Sequence, residues 1–274
     1  MDPWKYQHDD QRRRIRRDAP MMAAGLFVLG AMVGSFLNVC ASRLPKGRSL
    51  WTPGSACPNC AHPIRWYDNV PLLSFLILRG RCRDCQAPIA WRYPIVELGT
   101  ALLFTVAYVH IGLGWELAFA LFFLSALLVV TVIDLEHQLI PDRVTLPAIM
   151  AGFAGSLLGG RPSWLDSLLG ILVGGGIICA IILGSRLILG VDGMGGGDVT
   201  LAAMIGAFLG WKLLLLGLFL AVLVGAAVAL ALLAAGRKGG KDPIPFGPFL
   251  ALGGAVSLFW GKEILQWYLR GFVG

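Results

Sequence analysis

Apolar residues in this chain come in long unbroken runs instead of alternating with polar ones, and such runs recur from one end of the sequence to the other. Each approaches the ~20 residues that a helix rising 1.5 Å per residue needs to cross a bilayer. The pattern predicts an all-α polytopic membrane protein of about eight transmembrane helices, near 21–41, 94–112, 115–134, 144–160, 167–190, 198–211, 213–235 and 247–269. Between Val199 and Ala235 the apolar run is interrupted only by Gly210, Trp211 and Lys212. That stretch reads as one tilted helix or as two, and two helices keep both flanking loops on one side. Polar sequence concentrates in residues 42–93. The expected organisation is a charged tail (1–20), a first span (21–41), a cytosolic loop domain (42–93) and a membrane-embedded domain (94–274). The run "PIPFGPF" cannot be regular helix throughout, because Pro243, Pro245 and Pro248 each lack an amide donor. It either offers carbonyls to an extended substrate or begins the last helix.

Composition agrees: 57% of the 274 residues are hydrophobic and 14% charged, against roughly a quarter charged in soluble domains. The 36 glycines suit membrane helices whose backbones approach closely. That apolar surface identifies the lipid bilayer, and no nucleic acid, as the expected partner, while the net charge of +7 matters through its placement. Arg43, Lys46, Arg48, Arg65, Arg79, Arg81, Arg83 and Arg92 all fall between the first two spans, so the positive-inside rule makes that loop cytosolic. Counting spans from there places 134–143, 191–198 and 236–246 inside as well, and Arg237, Lys238 and Lys241 agree. The tail, with Lys5, Arg12, Arg13, Arg14, Arg16 and Arg17, opposes this count. Either the first segment crosses incompletely, or the loop outvotes the tail, or 1–40 is a secretory signal. The last would export four paired cysteines.

Those cysteines form two CxxC knuckles, Cys57 with Cys60 and Cys82 with Cys85, separated by 21 residues. Four thiolates from two such turns satisfy a tetrahedral zinc, and the segment between them is too poor in apolar residues for a core of its own. Two disulfides or a redox pair are the alternatives, which a reducing cytosol disfavours. His62 is a possible replacement ligand. Cys40 and Cys179 lie in apolar spans and are read as packing residues. Val39 argues against lipid attachment at Cys40.

Ionisable residues at membrane depth are costly and call for a functional explanation. Asp134 ends the third apolar run, and Asp198 closes the glycine run "GMGGGD". The topology puts both at cytosolic span ends. Two carboxylates held close share one proton, so that one takes a proton from water while the other polarises a peptide carbonyl. This is aspartyl protease chemistry, and neither a GxSxG elbow nor an HExxH helix competes with it. Gly193, Gly195, Gly196 and Gly197 let a substrate backbone approach Asp198, with Gly195 and Gly197 as the candidate substrate-binding positions. Asp192 and Asp142 are the nearby alternatives, Asp142 also being suited to cap the helix after Pro141. Glu136 and His137 read as solvated loop residues.

Six collinear motifs, "GSFLNVCASRLPKG" (34–47), the paired CxxC around "WYDNVPLLSFLILRGRCRDC", "RYPIVELGTALLF" (92–104), "DLEHQLIPDRVTLP" (134–147), "GMGGGDVTLAAMIGAFLG" (193–210) and "PFGPFLALGG" (245–254), resemble the bacterial type IV prepilin peptidases. The resemblance covers about residues 25–255. It implies an inner-membrane enzyme that removes the basic leader of prepilins and type II secretion pseudopilins at the cytosolic face. It further implies N-methylation of the new N-terminus, with S-adenosylmethionine as donor. It places the catalytic pair on Asp134 and Asp198 and the zinc on Cys57, Cys60, Cys82 and Cys85. The family commonly has lysine where this chain has Thr200. For the methyl donor the residues offer only Trp66, Tyr67, Asp68, Asn69 or Glu97, equally readable as loop packing with Glu97 paired to Arg92.

Two other classes remain. A transporter would use the same aspartates as a proton or cation relay, with inverted repeats and charges at mid-span. A membrane-anchored zinc module would bind partners through the loop and leave the glycine-aspartate motif without a role.

Overall fold

The computed structural model describes residues 3–158, 162–190, 195–236 and 244–273. Its helices are α1 (Pro3–Arg43), α2 (Leu73–Ile77), α3 (Arg92–Ile111), α4 (Trp115–His137), α5 (Asp142–Leu157), α6 (Trp164–Leu189), α7 (Gly196–Ala234) and α8 (Gly247–Val273), with single 3-10 turns at Leu44–Lys46 and Trp66–Asn69. Among the described residues the only β pairing is two isolated bridges in the cysteine loop. Every predicted span is helical over its described residues, apart from an end residue or two, and α1 runs on without interruption into the basic tail. Among the described residues, five helical stretches are long and apolar enough to cross a membrane: Pro20–Lys46, Arg92–Ile111, Trp115–His137, Trp164–Ile188 and Gly196–Ala234. Helix α5, at 16 residues, reaches only about 24 Å of the ~30 Å apolar thickness. Leu187, Ile188, Leu172, Phe219 and Leu230 stand exposed on these helices, which suits lipid and not water. Cys179, expected to pack internally, is exposed on α6, whereas Cys40 is buried.

The chain divides into two compact units, Met1–Asn38 with Trp51–Leu117, and Val39–Leu50 with Ala118–Gly274. In the first, α1 and α3 run antiparallel at close range. A Cβ on Gly30 would lie 2.7 Å from Ala101 Cα, and one on Gly34 would lie 2.7 Å from Glu97 Cα. One turn further, Asn38 Nδ2 donates to the carbonyl of Tyr93 at 3.2 Å.

The second unit is built on α7. Leu201, Met204, Ile205, Leu214 and Leu250 are fully buried in its core. The run from Val199 to Ala235 resolves into two helical halves: Gly210 has φ 75° and ψ 167°, a conformation that favours glycine. Ile205 packs against Gly254 while Gly217 packs against Gly253, so residues on either side of the break sit at one level of α8 and the halves lie side by side. The turn is pinned by Trp211, whose Nε1 donates to Asp166 Oδ1 at 3.1 Å. The two-helix reading is the one observed.

Helices α6 and α7 meet where the backbones of Gly170 and Gly206 touch, leaving no room for a Cβ on either. Small residues drive this kind of approach in membranes. Gly206→Val is therefore expected to forbid the contact and cost more than a typical substitution, about 3 kcal/mol or more. Monodisperse recovery in detergent and thermal stability measure this; a variant as stable as the parent would show that the contact is dispensable.

Candidate functional site

Asp134 lies in the last turn of α4 and Asp198 in the first turn of α7. Both are almost wholly buried, at 5% and 7% exposure. Each is held by a backbone amide from a helix start. Gly247, opening α8, donates its N–H to Asp134 Oδ2 at 3.0 Å, and Gly195 donates to Asp198 Oδ2 at 3.2 Å. Ile140 joins the two positions. A Cβ on Gly197 would fall 2.6 Å from Ile140 Cβ, and one on Gly247 would fall 3.2 Å from Ile140 Cδ1. Asp198 Oδ1 is buried with no hydrogen-bond partner among the described residues.

The surrounding residues sort themselves by contact. At Gly197 the space of a side chain belongs to Ile140, whereas at Gly195 the nearest atom to a Cβ, among the described residues, is Asp198 Oδ2 at 3.8 Å. Gly193 and Asp192 lie outside the described residues. Asp142 does not cap α5; Pro141 holds that position. The Thr200 hydroxyl lies 3.1 Å from Asp142 Oδ1 and 3.1 Å from the Gly197 carbonyl, and it accepts from Thr145 at 3.0 Å. Glu136 and His137, expected in a loop, end α4.

In the loop, the sulfurs of Cys57, Cys60, Cys82 and Cys85 all lie within 4.8 Å of one another. Cys57 and Cys85 are 3.7 Å apart, close to the edge of about 3.8 Å that a tetrahedron with ~2.3 Å bonds requires. None is in a disulfide. The knuckles repeat each other. Ala61 N–H donates to the Cys57 carbonyl and Gln86 N–H to the Cys82 carbonyl, while Ala56 bridges Pro63 and Arg81 bridges Pro88. Ala61 and Gln86 share φ 57°. The underlying pattern CxxCxxPI occurs twice, at 57–64 and 82–89. Cys85 is brought down to about 6, first by the Asn59 amide that donates to its sulfur. Cys60 is pushed up to about 12: a backbone hydrogen bond from His62 pulls it down, but loss of solvent and the other three sulfurs outweigh that. Four crowded thiols ionise together only when a cation compensates them, and the set fits a metal ion.

Of the residues offered for the methyl donor, Asp68 is bound two-pronged by Arg83 at 2.6 and 2.8 Å. Glu97 Oε2 accepts from Leu72 N–H at 2.8 Å, with Ser35 as its second donor, in place of the expected Arg92. Trp66 stays 83% exposed.

Two family models match the chain: the bacterial peptidase A24 N-terminal domain over residues 28–111 and the type IV leader peptidase family over residues 121–230. A protein of Aeromonas hydrophila named prepilin leader peptidase/N-methyltransferase is 41% identical over 272 residues, covering 90% of this chain and 94% of its own. One of Pseudomonas aeruginosa with the same name is 39% identical over 266 residues, covering 89% and 92%. No solved structure matches.

Proposed function

Because this chain belongs to the type IV leader peptidase family, we propose that it cleaves the basic leader from type IV prepilins and type II secretion pseudopilins and then methylates the freed amino group. The observation that carries the reading is the pair of buried carboxyls, Asp134 and Asp198, meeting at Ile140 with one backbone amide on each. Their positions at helix ends support hydrolysis at the cytosolic face of the inner membrane, the side to which the positive-inside rule assigns the arginine-rich loop.

Hydrolysis needs one proton on the pair. The ionised carboxyl takes a proton from water as its oxygen adds to the scissile carbonyl, and the protonated partner gives its proton to the carbonyl oxygen. The first carboxyl then hands its proton to the leaving nitrogen while a hydroxyl proton of the gem-diol returns to the second. The C–N bond breaks, an acid and an amine leave, and the pair again holds one proton. Asp198 Oδ1, buried and without a partner among the described residues, suits contact with water or the carbonyl, and Gly195, which has no side chain beside Asp198 Oδ2, suits the peptide backbone. Burial at the lipid boundary concentrates the electrostatic effect.

The metal is proposed as zinc on Cys57, Cys60, Cys82 and Cys85, where it would staple the loop. S-adenosylmethionine is the proposed methyl donor and would supply an activated methyl group on sulfur. Trp66, one of the exposed aromatics of this loop, suits it. The test incubates purified protein in detergent with a prepilin and S-adenosylmethionine, and weighs the products. Loss of the leader followed by gain of one methyl group is expected. An intact substrate would overturn the proposal. A transporter would need charges near mid-span; these carboxyls sit at helix ends.

A further inference from the structure

We infer that Gly247 is a third, positioning component of the aspartyl site, acting through Asp134 by its backbone N–H and by its lack of a side chain. This rests on the proposed catalytic role of Asp134.

The first turn of a helix leaves amide groups without an intrahelical acceptor. At the start of α8, Pro248 has no N–H, and the amides of Phe249 and Leu250 are spent on the Phe246 carbonyl. The Gly247 amide therefore remains to be satisfied, and its acceptor is a side chain 113 positions earlier, Asp134 Oδ2 at 3.0 Å in a buried setting. The positive end of α8 thus faces this carboxyl. The flanking prolines limit the conformations open to the segment that carries the donor.

The missing side chain matters as much as the amide. A Cβ at 247 would fall 2.5 Å from Asp134 Oδ2, 3.1 Å from its Cγ and 3.2 Å from Ile140 Cδ1. The backbone is fixed at the same point, so the carboxyl is what must move. Ile140 also fills the space beside Gly197, so displacement on the Asp134 side meets the neighbour of Asp198. A shift of about 1 Å in a reacting group lowers turnover on the order of 100-fold. Gly195 makes the matching contact to Asp198, and each member of the pair is thereby set by an amide from a different helix start.

The test compares Gly247→Ala with Gly225→Ala. The latter also adds a methyl between α7 and α8, with Phe249 at 3.3 Å, but touches neither carboxyl. Gly247→Ala is expected to lower kcat for leader cleavage on the order of 100-fold, with KM little changed and an altered pH profile. Gly225→Ala should keep the parental kcat. Methylation of an already cleaved substrate by Gly247→Ala, at the parental rate, shows that the variant is folded. Parental kcat in Gly247→Ala overturns the inference, as does equal loss of cleavage and methylation, which would mark a structural role only. A parent protein that cleaves nothing, or an Asp134→Asn variant that still cleaves, would instead refute the proposed function.

Discussion

Asp134→Asn and Asp198→Asn are each expected to reduce leader cleavage about 10²- to 10⁴-fold, the range in which a positioned acid or base acts, while the protein still inserts and folds. Asparagine keeps the volume and leaves a carbonyl oxygen to accept the amide of Gly247 or Gly195, so neither helix start loses its partner. What disappears is the capacity to hold and pass a proton. Either substitution alone should suffice, because the remaining carboxyl has no companion with which to divide acid and base roles. Cleavage is read by product mass under single-turnover conditions, and folding by monodispersity in detergent. Methylation of a pre-cleaved substrate should survive in both variants, since it does not draw on the pair. Cleavage within about tenfold of the parent in either variant would remove that residue from the mechanism.

These carboxyls were visible in the sequence because a charge at a span end is conspicuous in apolar surroundings. The spans were visible for the same reason, since every predicted run is helical. What could not be read was whatever the backbone supplies. Gly247 appears in the sequence as part of a proline-rich run, and nothing there shows that its amide is spent on Asp134. Glu97 invited pairing with Arg92 on the same helix, yet accepts from the amide of Leu72. Gly210 carried a usable signal, but its positive φ, which separates the two halves of α7, is read only from the structure. Thr200 stands where lysine is common in the family, and the structure directs it to Asp142 and the Gly197 carbonyl. One missed feature was legible throughout: the repeat CxxCxxPI, offset by 25 positions between Cys57 and Cys82, anticipates two like knuckles.

That repeat bears on the second large effect, expected from Cys57→Ser. Between Trp51 and Trp91 only Cys57 and Ser74 are buried, so the loop has almost no apolar interior with which to offset its conformational entropy. Short segments of this kind depend on a staple, and structural zinc supplies about 10–16 kcal/mol in peptide-sized domains. The prediction is about one zinc per parental chain, falling to a small fraction in Cys57→Ser, because a serine oxygen is a poor replacement for a thiolate. With the metal gone, the amides of Cys57, Ala61, Ile64, Cys82, Gln86 and Ile89, all bonded within the two knuckles, should lose their protection from hydrogen exchange. Cys85→Ser should behave alike, since the sulfurs of Cys57 and Cys85 face each other at 3.7 Å. Asp198→Asn, remote in the chain, should keep its zinc. Unchanged zinc in both cysteine variants would show that the cluster is not the metal site. Loss of zinc with unchanged exchange would show that the loop holds its shape without it.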